Sequence, residues 1–212
     1  MSSLNLFWDF IKASNRELFA DKKNYFLAFI ALLCIANIEL LYPLLGISNE
    51  STSYIIFSLL STVFVFFVIS QVVLIEKKKQ GGVGELAYFV PTYLLYNLYY
   101  SFLFLFGLLL LFIPGVFALI FFAMAPLIAV LDDEAEGNYF SKSRILVKKN
   151  VKLVAFAVII NLILECSTLL LIPIQDPLLK AVTTFLFSLP DAYLTLLMTL
   201  VMVKIYYFLK RL

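Results

Sequence analysis

The chain has 212 residues, of which 63% are hydrophobic and 14% charged, and its mean hydropathy is +1.01. Soluble domains contain roughly 45–50% apolar residues, so this composition excludes a water-soluble fold. The formal charge of +2 is small and the basic residues are dispersed, which argues against a nucleic-acid partner. Histidine, the commonest general base and metal ligand, is absent. We therefore expect no catalytic residue, no metal site and no cofactor.

The apolar residues form six runs, each long enough to cross a bilayer. A spanning helix needs about 20 mostly apolar residues, and in lipid its backbone must satisfy its own hydrogen bonds. The sequence therefore predicts an all-α polytopic transmembrane helical bundle of about six spanning helices, forming one integral membrane domain over 1–212. The predicted spans are Tyr25–Leu45, Tyr54–Ile75, Pro91–Ile113, Gly115–Leu131, Val151–Ile174 and Pro190–Leu209.

Only Pro114 and Gly115 separate the third span from the fourth. Proline removes a helical donor and glycine relaxes a turn, so the pair predicts a tight hairpin on the outer side. The alternative is one kinked helix of about 40 residues, which at 1.5 Å per residue would be about 60 Å long. That is twice the hydrocarbon thickness, and the hairpin is favoured.

Basic residues set the predicted orientation. Of the 16 lysines and arginines, only Lys180 falls in a loop on one side of the predicted bundle. Loops rich in lysine and arginine stay in the cytoplasm. The sequence thus predicts a multi-pass protein of the bacterial inner membrane, with both termini cytoplasmic.

Three segments are predicted to lie along the membrane surface: 1–23 and 132–150 on the cytoplasmic side and 175–189 outside. In the second, a helical wheel over Tyr139–Lys152 separates an apolar face from a basic one, with Ile145 and Asn150 as misfits. We expect the basic face to contact anionic lipid headgroups. A solvated linker that only fixes topology is the alternative. The headgroup-contact residues are Lys142, Arg144, Lys148 and Lys149.

The third surface segment begins at Asp176 and Pro177, which resemble a helix cap and first turn, and predicts a short helix through Phe187. Two charged runs receive simpler interpretations. Lys77–Lys79 is interpreted as a topology anchor. The acidic run that begins at Asp132 lacks the spacing of a calcium loop and is interpreted as a solvated turn.

The order of features from Gly81 to Val154 resembles a known family. The matching residues are Phe112-Ile113-Pro114-Gly115, Ala125-Pro126-Leu127, Asp132-Asp133, Ser141-Lys142-Ser143-Arg144 and the basic end Tyr207-Phe208-Leu209-Lys210-Arg211. They resemble bacterial YciC-type inner-membrane proteins, whose superfamily includes the membrane domain of some glycerophosphodiester phosphodiesterases. The resemblance implies six helices. It implies no activity, because the sequence has no counterpart of the phosphodiesterase catalytic domain.

A possible internal repeat places two glutamates in the predicted membrane interior. Lys-Lys-Asn precedes the first and the fifth spans, and Glu39 and Glu165 each follow fifteen residues after that Asn. With Asn37 and Asn161 nearby, they form a candidate intramembrane polar site, since ionisable residues in lipid are costly. Alternatively, Glu39 snorkels to the outer interface, both side chains stay protonated, or either one pairs with Lys180.

Two functions remain open at this point. The first is a non-enzymatic membrane scaffold or accessory subunit of a membrane complex, with a protein partner or self-association. The second is a small transporter or lipid-handling protein that uses Glu39 and Glu165. Glycine is scarce, with seven residues, so close helix packing and broken-helix sites have little support. The scaffold is therefore favoured, with membrane lipids, including anionic ones, as the other expected partners.

Overall fold

The computed structural model describes residues 2–42, 52–79, 86–110, 112–132, 138–167 and 177–212. These residues fold into an all-helical bundle, as predicted. Its helices are α1 (Ser3–Ala20), α2 (Lys22–Ala36), a 3₁₀ turn (Ile38–Leu41), α3 (Thr52–Lys79), α4 (Leu86–Leu110), α5 (Phe112–Phe121), α6 (Ala125–Leu131), α7 (Tyr139–Lys148), α8 (Val151–Ser167) and α9 (Pro177–Arg211).

Four helical segments in the described residues are long and apolar enough to span a membrane, and the chain is accordingly a membrane protein. They are Thr52–Lys79, Val90–Leu109, Pro114–Leu131 and Val182–Arg211. Within the described residues the number of candidate spans is thus four, where the sequence predicted about six. The predicted fifth span is an apolar helix, Val151–Leu164, that falls short of the spanning length within the described residues.

The predicted first span ends early, at Asn37. Helix α2 stops at Ala36, and the Asn37 side chain donates to the Leu33 carbonyl at 2.8 Å. An asparagine that bonds the preceding turn competes with the helical ladder, and a 3₁₀ turn follows. As far as Tyr42, where the described part ends, the first run is therefore a helix of 15 residues plus this turn.

The predicted short outer helix and the sixth span are one helix. Helix α9 runs for 35 residues from Pro177 to Arg211, with Pro190 inside it. A proline within a helix removes one backbone hydrogen bond but need not end the helix when packing holds both sides. The separate segment expected at 175–189 is therefore corrected, although residues 175 and 176 lie outside the described part.

The predicted third and fourth spans do form an antiparallel pair, but Pro114 and Gly115 lie inside α5 and not in the turn that was predicted there. Helix α4 packs antiparallel against α5, and Gly107 faces Gly115 across the pair. A Cβ atom on Gly107 would lie 2.7 Å from the Gly115 backbone nitrogen. Glycine is required here by close backbone approach, so the expectation that glycine has no packing role is wrong at this position.

The predicted fourth span is interrupted. Residues 122–124 form a turn between α5 and α6, and Ala125 N–H donates to the Phe122 carbonyl at 2.9 Å. That bond is one residue shorter than the α-helical pattern, and Pro126 has no N–H to offer. The Phe121 carbonyl, freed by the break, instead accepts from the buried Ser143 hydroxyl of α7 at 2.8 Å.

The surface helix expected over 139–152 is shorter than predicted. Helix α7 ends at Lys148, and Asn150 accepts from Leu153 N–H at 3.2 Å, which caps the start of α8. This cap explains why Asn150 was a misfit on the wheel. Ser143 and Val147 face the bundle, and Ile145, the other misfit, is exposed.

The core surrounds α9, which packs against α1, α2, α3 and α8. Leu200 and Val201 of α9 are fully buried, and so is Phe7 of α1. Helix α1 therefore packs one face on the bundle, while Trp8 stays half exposed on another.

Four lysines mark one end of the bundle, which we call the basic end. Lys79 contacts Glu17, Lys77 contacts Val130, Lys149 contacts Leu209 and Lys210 contacts Asp132. These contacts bring α1, α7 and the last turns of α3, α6 and α9 together.

Candidate functional site

A cavity of about 320 Å³, partly open to the surface, lies between the helices, and all four candidate spans contribute to its wall together with α8. Phe66, Phe104 and Met198 are among its apolar lining residues. Hydroxyl and amide side chains also line it, and among the described residues of its wall none is charged. The polar ones are Tyr93, Asn97, Tyr100 and Ser101 of α4, Asn161 of α8, and Thr195 and Thr199 of α9.

Helix α4 supplies most of the polar wall because four of its polar residues lie on one face of the helix. Tyr93, Asn97, Tyr100 and Ser101 stand at i, i+4, i+7 and i+8, which places them on one face of a helix. The opposite face carries apolar side chains that are exposed on the bundle surface, where lipid would cover them. These are Leu95, Leu98, Phe102, Leu105, Phe106 and Leu109.

Several polar groups of the wall have defined partners within the bundle. The Tyr100 hydroxyl donates to the Leu119 carbonyl at 2.9 Å, which ties α4 to α5 just before the break. The Thr199 hydroxyl donates to the Thr195 carbonyl at 2.7 Å. Ala123, in the turn between α5 and α6, also lines the cavity. The interruption of the predicted fourth span is therefore part of the wall.

A second polar cluster lies at the basic end, around Lys79. Its ammonium nitrogen lies 2.8 Å from Glu17 Oε1, 3.0 Å from Asp21 Oδ2 and 3.0 Å from Glu76 Oε1. The buried Tyr25 hydroxyl donates to Glu76 and accepts from Lys79. The cluster joins α1, α2 and α3 through ion pairs that share one ammonium group, which suits a structural link better than a ligand site.

Glu17 has a second cationic partner, Lys204 of α9, at its other carboxylate oxygen. Partial burial alone would raise the pKa of the Glu17 carboxyl. The hydrogen bonds and positive charges of Lys204 and Lys79 outweigh it and lower the pKa below 4.5. The hydrogen bond from Asn24 and that from Lys79 likewise lower the pKa of Asp21.

The interpretation of Lys77–Lys79 as a topology anchor stays a prediction, and two of the three residues also make structural contacts. Lys77 is buried and donates to the Val130 carbonyl at 2.7 Å, near the C-terminus of α6. A cation at a helix C-terminus satisfies a free carbonyl and complements the helix dipole. Lys79 centres the cluster described above, and only Lys78 is exposed without either contact.

Asp132, the one described residue of the acidic run, differs from its prediction. Asp132 is largely buried, and its carboxylate pairs with Lys210 at 3.0 Å and Lys142 at 3.6 Å. It joins the end of α6 to α7 and α9 and is not a solvated turn residue. Residues 133–137 lie outside the described part.

The structure describes the amides of the predicted intramembrane site but not the side chains of its two glutamates. Asn161 lines the cavity, whereas the Asn37 amide donates to Leu33 and, at 2.7 Å, to the Ser188 hydroxyl of α9. Glu39 lies in the 3₁₀ turn and Glu165 near the end of α8, but their side chains lie outside the described part. Their pairing stays a prediction. Within the suspected repeat, Asn24 lies inside α2 but Asn150 caps α8, so the two differ locally.

The four predicted headgroup residues divide into two pairs. Lys142 and Lys149 line a second, smaller pocket at the basic end. Arg144 instead lies over the Phe117 ring, 5.6 Å from its centroid, and Lys148 is exposed.

No family model, curated protein or solved structure matches the chain.

Proposed function

We propose that the chain is a non-enzymatic lipid-handling membrane protein that binds an uncharged amphiphile in its central cavity. The observation that carries this proposal is the composition of the cavity wall, which combines apolar side chains with neutral hydroxyl and amide groups inside a set of membrane spans. The volume, about 320 Å³, lies at the lower end of the range found for small-molecule sites.

The chemistry of the wall defines the ligand class. Aromatic and aliphatic side chains such as Phe66 and Met198 favour a hydrocarbon chain. Asn97, Ser101 and Asn161 can hydrogen-bond an ester or hydroxyl. An ionised ligand would pay a large desolvation cost opposite a wall with no described counter-charge. One acyl chain carrying a glycerol ester, as in a monoacylglycerol, fits these requirements.

The interrupted span supports the same function. Helix breaks at membrane depth are tolerated where the freed backbone groups find partners or line a cavity. Here Ser143 and Tyr100 satisfy two carbonyls beside the break, and Ala123 within it lines the cavity.

The scaffold function favoured by the sequence stays a second prediction. It requires that the chain bind a protein partner or a second copy of itself. We place lipid handling first because the cavity is a specific feature that a scaffold does not need. Binding of anionic lipid at the surface is compatible with both.

We also propose that the chain is a YciC-type protein of the bacterial inner membrane, with both termini cytoplasmic. The sequence resemblance and the charge bias of the loops support this placement. In a variant lacking Cys34 and Cys166, a cysteine at Lys78 should resist an impermeant thiol reagent added to intact cells. A cysteine at Asn49 should react with it. Labelling of position 78 with position 49 protected would reverse the orientation.

Photo-crosslinking tests the ligand proposal. The purified protein in lipid nanodiscs is illuminated with a monoacylglycerol whose acyl chain carries a diazirine, and the adducts are mapped by mass spectrometry. We expect adducts on cavity residues such as Phe104 and Met198, suppressed by excess unlabelled monoacylglycerol. Adducts confined to the lipid-facing side of α4, around Leu98 and Leu105, would contradict the proposal.

A further inference from the structure

A second pocket, of about 180 Å³, lies at the basic end between α6, α7 and α9. Three lysines line it: Lys142 on α7, Lys149 directly after α7, and Lys210 in the last turn of α9. Asp132, which follows α6, is the fourth charged lining residue. The pocket is separate in position and in chemistry from the uncharged central cavity.

We propose that this pocket binds a phosphate group through Lys142, Lys149 and Lys210. Three ammonium groups face one carboxylate, so the lining carries an excess of two positive charges. An anion that enters would be attracted by this excess and could accept hydrogen bonds from several ammonium groups at once.

Existing contacts hold the three lysines in place. Asp132 pairs with Lys210 through one carboxylate oxygen and with Lys142 through the other. Lys149 donates one of its three N–H groups to the Leu209 carbonyl at 2.9 Å. Side chains that are already held lose less conformational entropy when a ligand binds. The side chains of Lys142 and Lys210 are 36% and 50% exposed, so a ligand can reach them.

The rest of the pocket is apolar, and this favours a phosphate that carries a hydrocarbon chain. Ile128, Leu146 and Tyr206 line it, and Ile145 is 62% exposed at its rim. An anionic phospholipid such as phosphatidylglycerol offers both chemistries, and a soluble phosphate ester offers only the first.

A charge-matched pair of variants tests the proposal. Lys142→Gln, Lys149→Gln, Lys210→Gln removes the pocket lysines, and Arg144→Gln, Lys148→Gln, Lys152→Gln removes three exposed cations from the same region. Each protein is placed in nanodiscs of phosphatidylglycerol and phosphatidylcholine, and retained phosphatidylglycerol is measured by native mass spectrometry. We expect affinity to fall about fivefold for each pocket lysine removed, the factor that corresponds to about 1 kcal/mol per charge. The exposed-cation control should retain most of its lipid.

A second variant guards against misfolding of the triple variant. Ile145→Glu adds a negative charge at an exposed rim position, so it leaves the core intact while repelling phosphate. Competition with glycerol 3-phosphate identifies the source: displacement of the lipid at millimolar concentration assigns a soluble phosphate ester, and no displacement assigns the phospholipid headgroup. Retention equal to wild type in both the pocket variant and Ile145→Glu would overturn the proposal, as would an equal loss in the exposed-cation control.

Discussion

The Ser143 hydroxyl donates to the Phe121 carbonyl at 2.8 Å, and Phe121 is the last residue of α5, at the break between α5 and α6. Ser143 is fully buried on α7, so a helix at the basic end satisfies a backbone group that the break would otherwise leave without a partner. The bond links the surface helix to the wall of the central cavity.

Replacing Ser143 with alanine should destabilise the protein. The Phe121 carbonyl would lose its donor in a partly buried position, at a cost of about 1–3 kcal/mol. Thermal unfolding in detergent micelles measures the effect. Ser141→Ala, two residues earlier and exposed, is the control and should unfold like the wild type. Equal unfolding midpoints for both variants would show that the hydrogen bond does not stabilise the protein.

Replacing Lys79 with glutamine should loosen α1. The variant removes the cation that Glu17, Asp21 and Glu76 share. A loss of about 1 kcal/mol would raise the open population of α1 about fivefold. Hydrogen exchange of the α1 amides reports this change. Lys78→Gln removes the same charge from an exposed neighbour, and faster exchange in that variant as well would show that only net charge matters.

The attachment of α1 should depend on pH through Glu17. Its pKa is lowered in the folded state, so the stabilisation is complete above about 4.5 and is lost as the pH falls through the lowered value. Exchange of the α1 amides, corrected for the intrinsic effect of pH, should therefore show weaker protection below pH 4 than at pH 7. In Glu17→Gln this step should be smaller, with the remainder due to Asp21, whose pKa is also lowered. A step of equal size in that variant would assign the titration to other groups.

Local patterns predicted the antiparallel pairing of the third and fourth spans and much of the second span, because hydrophobic length and basic flanks determine them. Helix α3 extends the predicted Tyr54–Ile75 to Thr52–Lys79. The sequence did not predict that helix α2 ends before Asn37 or that Pro190 lies inside helix α9, because both depend on packing between helices. A residue that competes with helical bonding ends a helix in one setting and lies within it in another, according to the packing around it.

Local sequence patterns likewise predict one part of the candidate site and not another. The polar face of α4 could be predicted from the spacing of Tyr93, Asn97, Tyr100 and Ser101. A hydropathy averaged over the whole apolar run hides this face. The cluster around Lys79 could not be predicted from the sequence, because packing between helices distant in sequence brings Glu17 and Lys204 to it.

Retention of a neutral lipid tests the central claim most directly. Ser101→Phe places a bulky side chain in the cavity, and Leu105→Phe places the same side chain on the exposed face of α4 one turn away. Native mass spectrometry from nanodiscs doped with monoacylglycerol measures the bound fraction. We expect the wild type and Leu105→Phe to retain one molecule and Ser101→Phe to lose it. Equal retention in all three proteins, or none in the wild type, would contradict a ligand in the cavity.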